Sequence, residues 1–186
     1  MDRRTKQKII FALIGILGVL LISYAGVVYY QGYGFRKYTD RQAGFSIQYP
    51  REWAYAPNKD GANVIFYTPL ESDYDAFQEN INVAVKDISA NPVGLDEFTR
   101  IAIRQMEIVF KDRIEVLEST PYNLGNRFGH KFVFQIKGIA LSARMMMVWT
   151  VKGDKAFQVT YTAQTDTYGH YMDIVEKMLK SFKLLG

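Results

Sequence analysis

The longest uninterrupted feature of the chain is apolar. Ile9 to Tyr30 runs for 22 residues without a formal charge. As a helix it spans about 33 Å, enough for a hydrocarbon core of about 30 Å. Buried in a small soluble domain, such a run would leave no polar face for water. Arg3, Arg4, Lys6 and Lys8 precede it, and Tyr24, Tyr29, Tyr30 and Tyr33 gather at its far end. Positive charge stays in the cytoplasm, and tyrosines favour the membrane interface. The pattern predicts a cytoplasmic basic tail (1–8), a transmembrane signal anchor (9–30), a short linker (31–34) and one extracytoplasmic domain (35–186). A cleaved signal peptide is the rival reading, with Ser23-Tyr24-Ala25 offering small residues before Gly26. Both readings export the domain. The first places it at the inner (plasma) membrane on a single-pass anchor, facing the periplasm.

Past the linker the periodicity changes. Phe45, Ile47 and Tyr49 alternate with Ser46 and Gln48, a half-buried strand that Pro50 ends. Asn63–Thr68 forms a second strand before Pro69, and Ile81, Val83 and Val85 alternate in a third. Asn91–Gly94 is a turn. Leu95, Phe98, Ala102, Met106 and Val109 recur at helical spacing, so 95–111 is predicted helical, with Asp96 and Glu97 at its positive end. Three long strands follow, around Phe132–Ile136, Met145–Val151 and Phe157–Ala163. The last two are joined by a hairpin turn at Lys152–Lys155. A second helix is predicted over 167–182. Short connections imply antiparallel pairing. The fold class is therefore α+β, an antiparallel sheet flanked by helices. Apolar residues on both faces between Val133 and Val151 point to an α/β/α sandwich.

Composition narrows the function classes. The 186 residues contain no cysteine, which excludes disulfides, thiolate metal sites, cysteine nucleophiles and a lipid-carrying cysteine. Of the net charge of +4, the first 34 residues supply +3. The near-neutral remainder has no electrostatic footprint for nucleic acid.

Some phrases carry a family likeness. Tyr38-Thr-Asp40, then Gly44-Phe-Ser-Ile-Gln-Tyr-Pro50 and Trp53, resembles the opening of PsbP-like domains. Phe66 with Pro69, Asn80–Val83, Leu95–Phe98, Tyr161–Ala163, Tyr171 and Ser181-Phe182 continue the likeness to about Leu184. The family includes extrinsic proteins of photosystem II, DcrB-like exported proteins and a fold relative that binds a nuclear-transport GTPase. The resemblance implies an antiparallel sheet between helices, export, and protein-binding or assembly roles. These motifs are structural, and the apolar anchor departs from the photosystem members.

Catalytic patterns are sparse. His130 and His170 are 40 residues apart, outside any zinc-binding helical spacing. Glu71, Asp73, Asp75 and Glu79 form an acidic stretch, but an EF-hand register from Glu71 puts Ala76 and Asn82 where glycine and glutamate are required. Strand alternation sends Met145 and Met147 to one face and Met146 to the other, which favours packing over a soft-metal site. No catalytic residue, cofactor or metal ligand is assigned. The candidate partner-contact loop comprises Tyr67, Glu71, Asp73, Tyr74, Asp75 and Glu79. The leading expectation is a non-enzymatic accessory or assembly factor that binds a membrane protein complex, with the bilayer as its second partner. An exported small-ligand or metal-binding module is the alternative. A hydrolase would require His130 or His170 beside a serine and a carboxylate.

Overall fold

The computed structural model describes residues 34–70, 72, 77–137 and 142–185. The predicted basic tail and membrane span, residues 1–30, lie outside them. The chain divides into two compact units, Met1–Phe35 and Arg36–Gly186. Among the described residues no helix is long and apolar enough to cross a membrane.

In chain order the elements are β1 (Phe35–Asp40), β2 (Phe45–Pro50), β3 (Ala54–Lys59), β4 (Ala62–Tyr67), β5 (Asn80–Asp87), α1 (Leu95–Phe110), a 3₁₀ turn (Lys111–Arg113), β6 (Ile114–Leu124), β7 (Arg127–Ile136), β8 (Ala143–Lys152), β9 (Lys155–Gln164), α2 (Met172–Ser181) and β10 (Lys183–Leu184). A seven-stranded antiparallel sheet runs β3-β4-β5-β9-β8-β7-β6. A three-stranded sheet runs β1-β2-β10.

Register explains the layers. Phe132 pairs with Met147, and His130 with Trp149. These side chains therefore share one face with Phe134 and Met145. Helix α1 covers that face by placing Ala102, Leu95, Phe98, Met106 and Phe110 against Phe132, Phe134, Met147 and Trp149. It starts after Gly94 without a side-chain cap, and Asp96 and Glu97 offset its exposed N–H groups. On the opposite face Met146 pairs with Tyr161 and Val148 with Val159. The cover there is mixed. The buried residues of α2 (Val175, Met178, Leu179) share this layer with the small sheet, whose Phe45 stacks on Phe182 at 5.7 Å. Phe182 in turn meets Phe157 edge-on. Tyr38 and Tyr49 extend the aromatic layer over Phe66.

The antiparallel sheet and α1 follow the sequence pattern closely. The expected sandwich of helices is realised only in part, since a three-stranded sheet supplies much of the second layer. Strands β1, β3, β6 and β10 do not appear in the periodicity reading. Helix α2 begins at Met172, five residues later than expected. The Tyr168 carbonyl accepts from Tyr161 Oη at 3.1 Å, and His170 N–H closes a turn on the Thr167 carbonyl. These bonds hold residues 165–171 in turns instead of a helix.

Candidate functional site

The predicted contact loop is described only at its two ends. Glu71, Asp73, Tyr74 and Asp75 lie outside the described residues. Tyr67 ends β4, half-buried, with Lys59 Nζ 5.3 Å from its ring centre. Glu79 is 2% exposed. Its carboxylate accepts from Thr167 Oγ1, and its carbonyl accepts from Thr68 N at 3.0 Å and Thr68 Oγ1 at 3.2 Å. A buried carboxylate needs such partners. Glu79 thus fastens the loop's end to the domain and presents nothing outward. Burial, and then the Glu79 charge, push Tyr161 well above the usual phenol range. Leu70 and Tyr55 stand at the same end of the sheet, 59% and 49% exposed, where Tyr55 pairs with Phe66. Sequence reading passed over both, because neither belongs to an alternating run.

A polar cleft of about 500 Å³ opens at the other end, between the β1–β2 turn and strands β3 to β5. Asp40, Arg41, Asn58, Asn63, Asp87 and Lys155 line it. Its walls are cross-braced. Asp40 Oδ1 accepts from Ala43 N at 2.8 Å, and Asn63 Oδ1 accepts from Val85 N at 2.8 Å. Lys155 Nζ donates to the Ala43 carbonyl at 3.3 Å. Asp87 accepts from Ser89, which holds its carboxyl below the usual range. The cleft therefore shows both charge signs on a rigid frame. No sequence motif marks it, since its residues come from five strands and the β1–β2 turn.

Ser119 and His130 are brought together as well. They lie on paired strands, with Ser119 Oγ 2.9 Å from His130 Nε2. The imidazole stacks on Trp149 at 5.4 Å, and burial pushes its pKa down. The neighbouring carboxylate, Glu118, alternates to the other face, where Lys131 (2.8 Å) and Thr120 (2.8 Å) hold it. A serine and a histidine thus meet here, while the adjacent acid, Glu118, is engaged elsewhere. Among the described residues, no three His, Asp or Glu side chains cluster as a metal site.

The family model for PsbP matches residues 33–184. The chain belongs to the PsbP family. Among solved structures, cyanobacterial PsbP (CyanoP) from Synechocystis superimposes with a TM-score of 0.61 at 14% identity, covering 81% of this chain and 92% of its own. LpqN of Mycobacterium tuberculosis, described as involved in cell envelope biogenesis, gives 0.60 at 10% identity, covering 82% and 92%. The yeast Ran-binding protein Mog1p gives 0.58 at 10% identity, covering 81% and 95%. At these identities the likeness establishes a shared PsbP fold. No curated protein matches the chain. The fold alone does not decide what such a domain does.

Proposed function

We propose that this chain is a membrane-anchored, extracytoplasmic accessory or assembly factor without chemistry of its own. It sits at the inner membrane with its N-terminus in the cytoplasm and binds a membrane protein complex. The observation that carries this reading is a PsbP-family domain over residues 33–184 that directly follows an uncharged apolar run at 9–30. A tether beside the bilayer raises the effective concentration of membrane partners, so weak contacts suffice. Contact is made at the sheet end that carries Tyr55, Tyr67 and Leu70, together with Glu71, Asp73, Tyr74 and Asp75 of the adjoining loop. Exposed groups such as Tyr55 and Leu70 suit a protein interface. The related structures include one protein named as Ran-binding.

The test is a photo-crosslinking residue at Leu70 of the full chain in intact membranes, with a second at the exposed Val109 of α1 as control. A stoichiometric membrane-protein adduct from Leu70 alone is expected. Adducts from neither position, or equally from both, count against this surface. A second reading, an exported small-ligand module, rests on the braced polar cleft. A saturable rise in melting temperature with a zwitterionic small molecule, abolished by Asp40→Asn, would favour it.

A further inference from the structure

A second, smaller cleft lies between the β6–β7 turn, the end of β8 and β10. It has a volume of about 270 Å³. We propose that it binds a phosphate group.

Three cationic residues line it, Arg127, Lys152 and Lys183, together with Asn126. No Asp or Glu is among its described lining residues. Some basic side chains elsewhere do meet carboxylates: Arg100 with Glu97, Lys131 with Glu118 and Lys137 with Glu115. Among the described residues, Arg127 donates to the Val151 carbonyl at 3.4 Å and Lys152 to the Leu185 carbonyl at 3.2 Å. Three like charges around one hollow repel one another, and a bound anion relieves that repulsion. The floor is apolar, formed by the fully buried Leu124 and Phe182. A low-dielectric floor strengthens the attraction between the cations and an anion above it.

The donor set selects the anion. The lining residues bring a guanidinium, two ammonium groups and an amide from the β6–β7 hairpin, β8 and β10. A carboxylate offers two oxygens, whereas a phosphate monoester offers three with more negative charge, and so uses all of them. The hollow is also held in shape. Gly125 turns the hairpin at a positive φ of 60°, and a Cβ there would lie 2.2 Å from the Phe182 carbonyl oxygen. The β6–β7 turn is thereby packed directly onto the residue that leads into β10, which fixes the backbone on two sides of the hollow. The phosphate has two chemical sources, a soluble phosphomonoester or inorganic phosphate, and the headgroup of an anionic lipid.

Lysine acylation of the full chain in phosphatidylcholine nanodiscs, read by mass spectrometry, distinguishes them. Lys152 and Lys183 are compared with the exposed Lys111. Inorganic phosphate, but not chloride at equal ionic strength, is expected to protect Lys152 and Lys183 selectively if the ligand is soluble. If the ligand is a headgroup, protection instead appears on adding phosphatidic acid to the nanodiscs. In either case Arg127→Gln weakens the protection by about tenfold, as loss of one hydrogen bond to a charged group implies. Lys183→Arg keeps it. Equal labelling of all three lysines under every condition overturns the proposal. So does equal protection by chloride, or an unaltered response in Arg127→Gln with a wild-type melting temperature.

Discussion

Trp149 shows how much of this domain rests on single side chains. It is 1% exposed, donates from Nε1 to Thr99 Oγ1 at 2.9 Å and touches Phe98 and Phe132. Trp149→Ala should cost about 3–5 kcal/mol in urea unfolding of the full chain in mild detergent. Thr99→Val should cost about 1–3 kcal/mol, because it leaves the indole N–H buried and unpaired. His130, stacked on the same indole, gives the stability a pH dependence. Burial lowers its folded pKa, so the unfolded chain binds the proton more readily. Stability is therefore full above the unfolded value near 6.5 and declines as pH falls through it. Between about pH 7.5 and pH 5.5 the melting temperature should fall less in His130→Gln than in the parent. An identical fall in both proteins would remove His130 as the cause. Trp149 was legible as a core residue from alternation alone. The Ser119–His130 contact was not, because it depends on the register of a strand that the pattern did not reveal.

At the scale of elements, legibility follows burial. Strands β7, β8 and β9 lie centrally in the sheet, and their apolar alternation announces them. Strands β3 and β6 form its edges. Strand β3 carries Pro57 and a positive φ at Asn58, while β6 carries Pro121, Glu115, Glu118 and an irregular register between Val116 and Glu118. Those features blunt an edge against pairing with another chain. They also erase the period-two signal that would identify a strand. The hairpin turns offer a sharper test. Gly153 and Gly125 both have positive φ, but a Cβ at Gly153 meets nothing within 4 Å. Gly153→Ala should cost only the left-handed backbone penalty of about 1–2 kcal/mol. Gly125→Ala must also displace the Phe182 carbonyl and should cost more. Equal costs in parallel urea titrations would show that the turn is free to move off Phe182. The candidate site follows the same logic. Tyr67 was visible at a strand end, whereas Leu70, Tyr55 and both clefts arise where separate elements meet, which no local pattern encodes.

For the molecule as a whole, the reading separates address from fold. Removing residues 1–34 should abolish membrane association yet leave a cooperatively folding domain, by sedimentation and thermal melting. A truncated chain that fails to fold would show that the N-terminal segment belongs to the domain itself. One pairing sets the timing of that folding. Ser46 and Phe45 of β2 take Lys183 and Leu184 as partners, and Leu185 N–H closes on the Gly44 carbonyl. Among the first residues of the domain to leave the ribosome, they wait for nearly the last. Loop closure over such a separation is slow. Until residue 184 arrives, Phe45 has no Phe182 to stack on and β2 has a bare edge. The small sheet therefore cannot close until synthesis is almost complete. A polypeptide that must pass through a narrow translocation channel before folding benefits from a last-arriving latch of this kind.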